Sequence, residues 1–198
     1  MSPTLIIFIK NPELGKAKTR LAQDVGPEKA LQIYQTLLAH TRKVTQAVPA
    51  QRLLFYSSFV DAADAWSADD FDKHLQASGG LGHRMEEAFT LAFGQNNGPV
   101  LIIGSDCAQL NASIVQQGID ALQENDFVIG PAEDGGYYLL GMQAFHPEVF
   151  RDIEWSTSAV FPQTRAIIEA HNWSLSLLPI LSDIDYLEDW EKHGWEIP

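Results

Sequence analysis

Short apolar runs closed by turn residues alternate along this chain with longer stretches of helical spacing. Leu5-Ile-Ile-Phe-Ile9, Arg52-Leu-Leu-Phe-Tyr-Ser57, Pro99-Val-Leu-Ile-Ile103, Asp126-Phe-Val-Ile-Gly130, Tyr137-Tyr-Leu-Leu-Gly141 and Trp173 to Leu178 read as strands. The first and third are almost wholly hydrophobic, the pattern of strands buried on both faces of a parallel sheet. Between them, Ala30, Leu31, Tyr34, Leu37 and Leu38 keep helical spacing after Gly26-Pro27 and run to about Val48, where Pro49 ends the pattern. Leu81, Met85, Ala88, Phe89, Ala92 and Phe93 form a second stripe, stopped by Gly94 and Asn96-Asn97-Gly98. Ile114, Val115, Ile119 and Leu122 form a third, capped by Asn111 or Ser113. A fourth helix ends near His171 and starts as late as Phe161 because of Pro162. This alternation predicts one α/β domain over 1–198, with a mainly parallel sheet between helical layers.

Two regions are less regular. Phe59 to Leu75 is rich in Ala and Asp and reads as a short surface helix or two, with Trp66 and Phe71 pinning it to the core. Near the carboxyl end, Asp185 and Glu188 have the spacing of a capping box, so Asp185 is expected at a helix N-terminus.

Composition narrows the class. The chain has 198 residues, 45% hydrophobic and 20% charged, which suits one soluble domain with a full core. No apolar run reaches bilayer length, and Met1-Ser-Pro-Thr lacks a signal-peptide pattern, so a cytoplasmic location is expected. The single cysteine, Cys107, excludes an intramolecular disulfide and reads as a packing residue after a buried strand. A net charge of −13 disfavours nucleic-acid and membrane partners. Against that background Lys10, Lys16, Lys18 and Arg20 crowd into one loop with Gly15, a concentration suited to a small anion.

Candidate chemistry follows from position. Gly104-Ser-Asp106 puts a carboxylate at the carboxyl end of the third strand, the edge where open α/β sheets bind ligands. Asp106 there can hold a metal ion on a phosphate, or simply cap a turn. Strand, glycine-containing basic loop, then helix is an arrangement that cradles phosphate, and the same loop taken alone also reads as a solvated basic loop. It is not a Walker A motif: Ala17 precedes Lys18-Thr19 and Leu14 stands at the earlier glycine position. No G-x-G-x-x-G follows the first strand, which removes a Rossmann dehydrogenase. His83 reads as a surface residue and Arg84 as an anion contact. The double glycine Gly135-Gly136 beside Asp134 lets backbone approach a ligand, or makes a hairpin turn.

These motifs together resemble the nucleotide-diphospho-sugar transferase superfamily, the GT-A fold, a Rossmann-like three-layer sandwich. Within it the chain resembles the bacterial glycosyltransferase-like family DUF2064, related to the phospholactate guanylyltransferases. The resemblance rests on Lys10-Asn-Pro…Gly15-Lys-Ala-Lys-Thr-Arg-Leu21, Leu81-Gly-His-Arg-Met85, Gly104-Ser-Asp-Cys107, Gly130-Pro…Asp134-Gly-Gly-Tyr-Tyr-Leu-Leu-Gly141, Trp155-Ser-Thr157 and Asp183-Ile-Asp185. The chain departs from the family pattern at Ala108 and Tyr186, where proline and threonine are usual. The resemblance implies a Mg²⁺- or Mn²⁺-dependent transferase taking a nucleotide, either an NTP or an NDP-sugar, and a small-molecule acceptor. Lys10, Gly15, Lys16, Lys18, Arg20 and Arg84 would contact the nucleotide. Asp106 and Asp185 would hold the metal, and Lys18, Asp106 and Asp134 would act in catalysis. Gly135, Gly136, Tyr137, Trp155, Ser156 and Thr157 would shape the acceptor pocket. Nucleotidyl transfer is favoured slightly over glycosyl transfer. A non-catalytic nucleotide or sugar-nucleotide binding module, or a partner subunit, stays open as the alternative.

Overall fold

The computed structural model describes residues 2–95 and 98–197. Met1 and the expected helix stop at Asn96-Asn97 lie outside these described residues. Among the described residues seven strands form one sheet: β1 (Thr4–Ile9), β2 (Gln51–Tyr56), β3 (Asp72–Leu75), β4 (Val100–Ile103), β5 (Phe127–Pro131), β6 (Tyr137–Met142) and β7 (Leu175–Leu177). Their order is β3-β2-β1-β4-β6-β5-β7. All pairings are parallel except those of β6, which runs against both β4 and β5. The sheet is thus mainly parallel. β4 is buried along its whole length, as its apolar run requires, but one of its two neighbours is antiparallel.

Helices cover both faces. On one side lie α2 (Pro27–Gln46) and α4 (Ala112–Ala121), packed on Leu5, Ile7, Leu54, Leu101, Ile103 and Val128. On the other lie α3 (Leu81–Gln95), a 3₁₀ turn at Pro147–Phe150 and α5 (Val160–Ala170), packed on Ile6, Leu53, Phe55, Ile102, Ile129 and Leu140. The alternation of Leu5 and Ile7 with Ile6 across the two layers is the period of two that a strand imposes. Fully buried Phe89 anchors α3, a contribution of about 1.5–3 kcal/mol from its burial alone. A five-residue α1 (Leu21–Val25) and the final α6 (Leu187–His193) pack with α2 around Leu21, Ile33 and Ile184. Gly26, with φ +82, turns the chain between α1 and α2, and Pro27 takes the first helical position, where a missing N–H costs nothing.

Two expectations are corrected here. No helix forms between Phe59 and Phe71; that segment is a run of turns and bends. Tyr56 donates to Asp64 Oδ2 (2.6 Å), and Lys73 Nζ donates to Asp64 Oδ1 and the Asp61 carbonyl (both 2.8 Å), clipping the segment down. Trp66 and Phe71 are buried as expected, edge to face. Second, Asp72–Leu75 is a strand. Its polar sequence carries no strand signal, and pairing with β2 decides its conformation.

Candidate active site

The chain passes from β1 to β2 and β3 on one side, then returns to β4 on the other side of β1. The carboxyl ends of β1 and β4 therefore flank a topological switch point, the crevice where open α/β sheets take ligands. Tyr34 of α2 fastens the two ends together. Its buried hydroxyl accepts from Lys10 N (2.8 Å), donates to the Lys10 carbonyl (3.0 Å) and lies 3.1 Å from Ser105 Oγ. Burial, then the nearby charge of Asp106, holds this phenol above its ordinary pKa. Asn11 performs the same service toward β2. Its Oδ1 accepts from Ser58 N (3.0 Å) and its Nδ2 donates to the Phe59 carbonyl (2.9 Å).

The basic loop reaches over this crevice, and its cations diverge. Lys10 and Lys16 face solvent, Lys16 pairing with Glu13 at 2.7 Å. Gly15, with φ +74, makes the turn. Lys18 turns inward. Its side chain is 5% exposed, and its Nζ lies 2.7 Å from Asp106 Oδ1 and 3.3 Å from Asp185 Oδ1. Burial alone would lower the ammonium's pKa; the charges of Asp106 and Asp185 overcome that and raise it. Lys18 also holds φ +51, a left-handed conformation that costs a residue with a Cβ on the order of 1 kcal/mol. Arg20, mostly exposed, reaches Asp185 Oδ2 at 3.2 Å and lies over the Tyr186 ring.

The carboxyl-terminal segment completes the cluster. After β7 it runs beside β5, with Leu178 N bonded to the Ile129 carbonyl and Leu181 N to the Pro131 carbonyl. Ile184 N then donates to the Asp106 carbonyl at 2.8 Å, and its side chain is fully buried. That anchor sets Asp183 and Asp185 on either side of it, both beside Asp106. The helix-cap expectation for Asp185 is corrected. Tyr186 is the N-cap of α6, and Asp189 accepts from the backbone N–H groups of Asp185 and Tyr186 (3.0 and 2.8 Å). The Asp185 carboxylate is therefore spent on Lys18 and Arg20.

Asp183 was not singled out from the sequence, yet it is the most perturbed carboxyl of the cluster. Burial first, then the charges of Asp106, Asp134 and Asp185, raise it to about 7, with Lys18 pulling the other way. The signal was legible: in Asp-Ile-Asp a buried middle residue sends both carboxylates the same way.

Asp134 sits at the tip of the β5–β6 hairpin, at the same sheet edge. Its Oδ1 accepts from Gly136 N (2.9 Å), leaving Oδ2 without a bonded partner among the described contacts. Gly135 is packed rather than open: at φ +89, a Cβ there would lie 2.4 Å from the Ser158 carbonyl oxygen. Trp155 covers the start of α3, where a Cβ on Gly82 would come within 2.2 Å of its Nε1, and its ring meets Tyr137 edge to face. Ser156 and Thr157 follow, exposed, Ser156 at φ +64. Arg84 is held by Gln76, whose Oε1 accepts from Nη1 (3.0 Å) while its Nε2 donates to the Ile9 and Phe55 carbonyls. Arg84 Nε is buried with no hydrogen-bond partner among the described residues. His83 is exposed, and Cys107 is buried with its thiol pushed up to about 12.

Among the described residues, no three or more His, Cys, Asp or Glu side chains converge on one point. Two do share one: Asp106 and Asp185 turn oxygens to the same ammonium. Hard oxygen donors of that number fit Mg²⁺ or Mn²⁺, which bind through one or two carboxylates and complete their shells with water and substrate phosphate. Among the described residues no helix is long and apolar enough to cross a membrane.

Comparison with known proteins agrees with this architecture. A structure from Desulfovibrio desulfuricans G20, assigned as a nucleotide-diphospho-sugar transferase, superposes with a TM-score of 0.87 at 32% identity, over 94% of this chain and 84% of that one. The inositol-1-phosphate CTP transferase of T. maritima shares the fold at TM-score 0.59 and 9% identity, over 95% and 91% of the two chains. Rv0371C of Mycobacterium tuberculosis H37Rv in complex with manganese shares it at TM-score 0.54 and 15% identity, over the whole of both chains. No curated protein sequence matches this chain. Residues 38–157 match the family described as uncharacterized protein conserved in bacteria (DUF2064). With that match and the Desulfovibrio likeness over nearly its whole length, the chain belongs to the DUF2064 family and to the transferases of the nucleotide-diphospho-sugar transferase superfamily.

Proposed function

We propose that this transferase uses a nucleoside triphosphate and a divalent cation to move a nucleotidyl group onto a small-molecule acceptor. The acceptor oxygen attacks the α-phosphorus, the bond from that phosphorus to the bridging oxygen breaks, and pyrophosphate leaves. The single observation that carries this reading is the meeting of Lys18, Asp106 and Asp185 at the switch point between β1 and β4.

Lys18 and Arg20 supply positive charge to phosphate oxygens, where charge grows as the bond to the leaving group breaks. Lys10, Lys16 and the Gly15 turn line the approach for the nucleotide, and Arg84, half-buried and held by Gln76, adds an anion contact beyond the ends of β1 and β2. Asp106 and Asp185 would hold Mg²⁺ or Mn²⁺, which when bound neutralises phosphate charge and orients the phosphates. Asp134, with a free oxygen at the hairpin tip, is placed to take a proton from a hydroxyl acceptor. A phosphate or carboxylate acceptor needs no such base. Gly135, Gly136, Tyr137, Trp155, Ser156 and Thr157 form the wall against which the acceptor would rest, and the close packing of Trp155 on Gly82 makes that wall stiff.

Glycosyl transfer from an NDP-sugar is the second reading, favoured by the assignment of the Desulfovibrio relative. There the bond from the anomeric carbon to the phosphate oxygen breaks and NDP leaves. Thermal stabilisation by a panel of NTPs and NDP-sugars, each with and without Mn²⁺, separates the two. A ligand at a hundred times its dissociation constant stabilises by about 2.7 kcal/mol, a rise of several degrees for a chain of this size. The proposal expects a Mn²⁺-dependent shift with one NTP, lost in Asp106→Asn. A shift with an NDP-sugar alone favours glycosyl transfer. No shift with any of them removes nucleotide chemistry.

A further inference from the structure

Lys18 stands where a cation is wanted. Its ammonium bridges one oxygen of Asp106 and one of Asp185, and its side chain is far less exposed than the 33% and 42% of those carboxylates. Arg20 occupies the remaining oxygen of Asp185. Both oxygens of Asp185 and one of Asp106 are thus already neutralised by the protein's own cations. A divalent ion arriving alone must break these pairs and then sit within a few ångströms of a positive charge in a partly dehydrated crevice, where repulsion is strong. A phosphate chain changes the balance, because it offers Lys18 and Arg20 new oxygens as they release the carboxylates.

We propose that Lys18 is a placeholder cation that makes metal and nucleotide bind together and not separately. The ammonium holds Asp106 and Asp185 at their working separation in the free enzyme, and passes to the phosphates when a metal-bound nucleotide enters. This rests on the reading of the crevice as a metal–nucleotide site. Lys18 acts here as a positioning residue for the metal ligands. Thermodynamic reciprocity follows: metal tightens nucleotide binding by the same factor as nucleotide tightens metal binding, typically 5–150-fold for coupled sites. The left-handed backbone at Lys18 fits this role, since it turns the side chain down into the carboxylates instead of out along the loop.

The test counts free Mn²⁺ by electron paramagnetic resonance in the absence of nucleotide, a readout independent of turnover. Wild type is expected to bind Mn²⁺ weakly, and Lys18→Met about tenfold more tightly, the opposite of what damage to a metal site would do. Arg20→Gln, at an exposed position that leaves the fold alone, is expected to tighten Mn²⁺ a few-fold by freeing Asp185 Oδ2. Far-ultraviolet circular dichroism checks that each variant is folded. If Lys18→Met misfolds, Arg20→Gln decides. Equal Mn²⁺ affinity in wild type and the folded variants overturns the placeholder role. The metal reading survives that result as long as Asp106→Asn abolishes the binding. If no variant binds Mn²⁺, with or without nucleoside triphosphates, both the placeholder role and the metal–nucleotide reading fall.

Discussion

Tyr34→Phe removes one oxygen and leaves the ring, so it opens no cavity. What it removes is the junction between the ends of β1 and β4. Three contacts end at that hydroxyl: Lys10 N at 2.8 Å, the Lys10 carbonyl at 3.0 Å and Ser105 Oγ at 3.1 Å. Ser105 is buried and loses a partner it cannot replace with water, a cost of about 1–3 kcal/mol. Lys10 is exposed and recovers part of its loss from solvent, so its two groups add about 1 kcal/mol at most. The sum is about 1–4 kcal/mol. With a urea slope of about 2 kcal/mol/M, the unfolding midpoint falls by about 0.5–2 M with the slope unchanged. The ladder between β1 and β4 ends at Ile7 and Ile103, and the Tyr34 hydroxyl joins the two chains beyond it, at Lys10 and Ser105. Nucleotide-dependent stabilisation should therefore fall further than the intrinsic stability does. A midpoint within about 0.2 M of wild type, with ligand binding intact, would refute the claim that this hydroxyl braces the site.

Other outcomes follow from the same structure. Gly82→Ala sets a Cβ 2.2 Å from Trp155 Nε1, so it should destabilise by about 1–3 kcal/mol, and Trp155→Ala should erase that penalty in a double-mutant cycle. Additive single effects would show that the ring is free to move away. Tyr34, Tyr137 and Tyr138 all have phenol pKa values raised by burial. The unfolded chain gives up these protons near pH 10 while the folded chain keeps them, so stability is fully held below pH 10 and falls as pH rises above it; urea midpoints measured on either side of pH 10 check this. Asp126 runs the other way. Hydrogen bonds from Ser174 N (2.8 Å) and Ser174 Oγ (2.7 Å) depress its pKa, so its contribution is present above the ordinary carboxylate range and is lost as pH falls through the lowered value. Asp126→Asn should flatten the acid limb of the stability profile. The buried Cys107 thiol, raised to about 12, should resist alkylation at pH 8 in the native protein and react at once in denaturant.

Much of the fold was written in periodicity. The apolar runs at Leu5–Ile9 and Val100–Ile103 send side chains into both helical layers, and the stripe from Leu81 packs into one of them. The polar strand Asp72–Leu75 was not legible, because its conformation comes from β2 and not from its own residues. The reversal of β6 was half legible, since Asp134-Gly135 signals a hairpin as readily as a ligand loop. In the site, Lys18 and Asp106 could be named from their place after β1 and β4. Their contact with Asp185 could not be derived from spacing, because it depends on a long segment docking through Ile184 N. Tyr34 looked like one more apolar position of α2; its hydroxyl matters only because two strand ends meet above it. Asp185 was misread as a cap because the box begins one residue later, with Tyr186 as the N-cap and Asp189 three positions on.

The bond from Lys18 to Asp185 joins residues 167 positions apart. At a synthesis rate of about 5–20 residues per second, the ribosome needs on the order of 10–30 s to make the chain between them. Throughout that interval β1 and its basic loop exist, and for much of it β4 does too, but the crevice lacks Asp183 and Asp185. A nascent or shortened chain can therefore build most of the sheet and still present an unfinished crevice to the nucleotide pool. Ile184 docks under Asp106, so the proposed site is assembled only once the segment that follows β7 has been made.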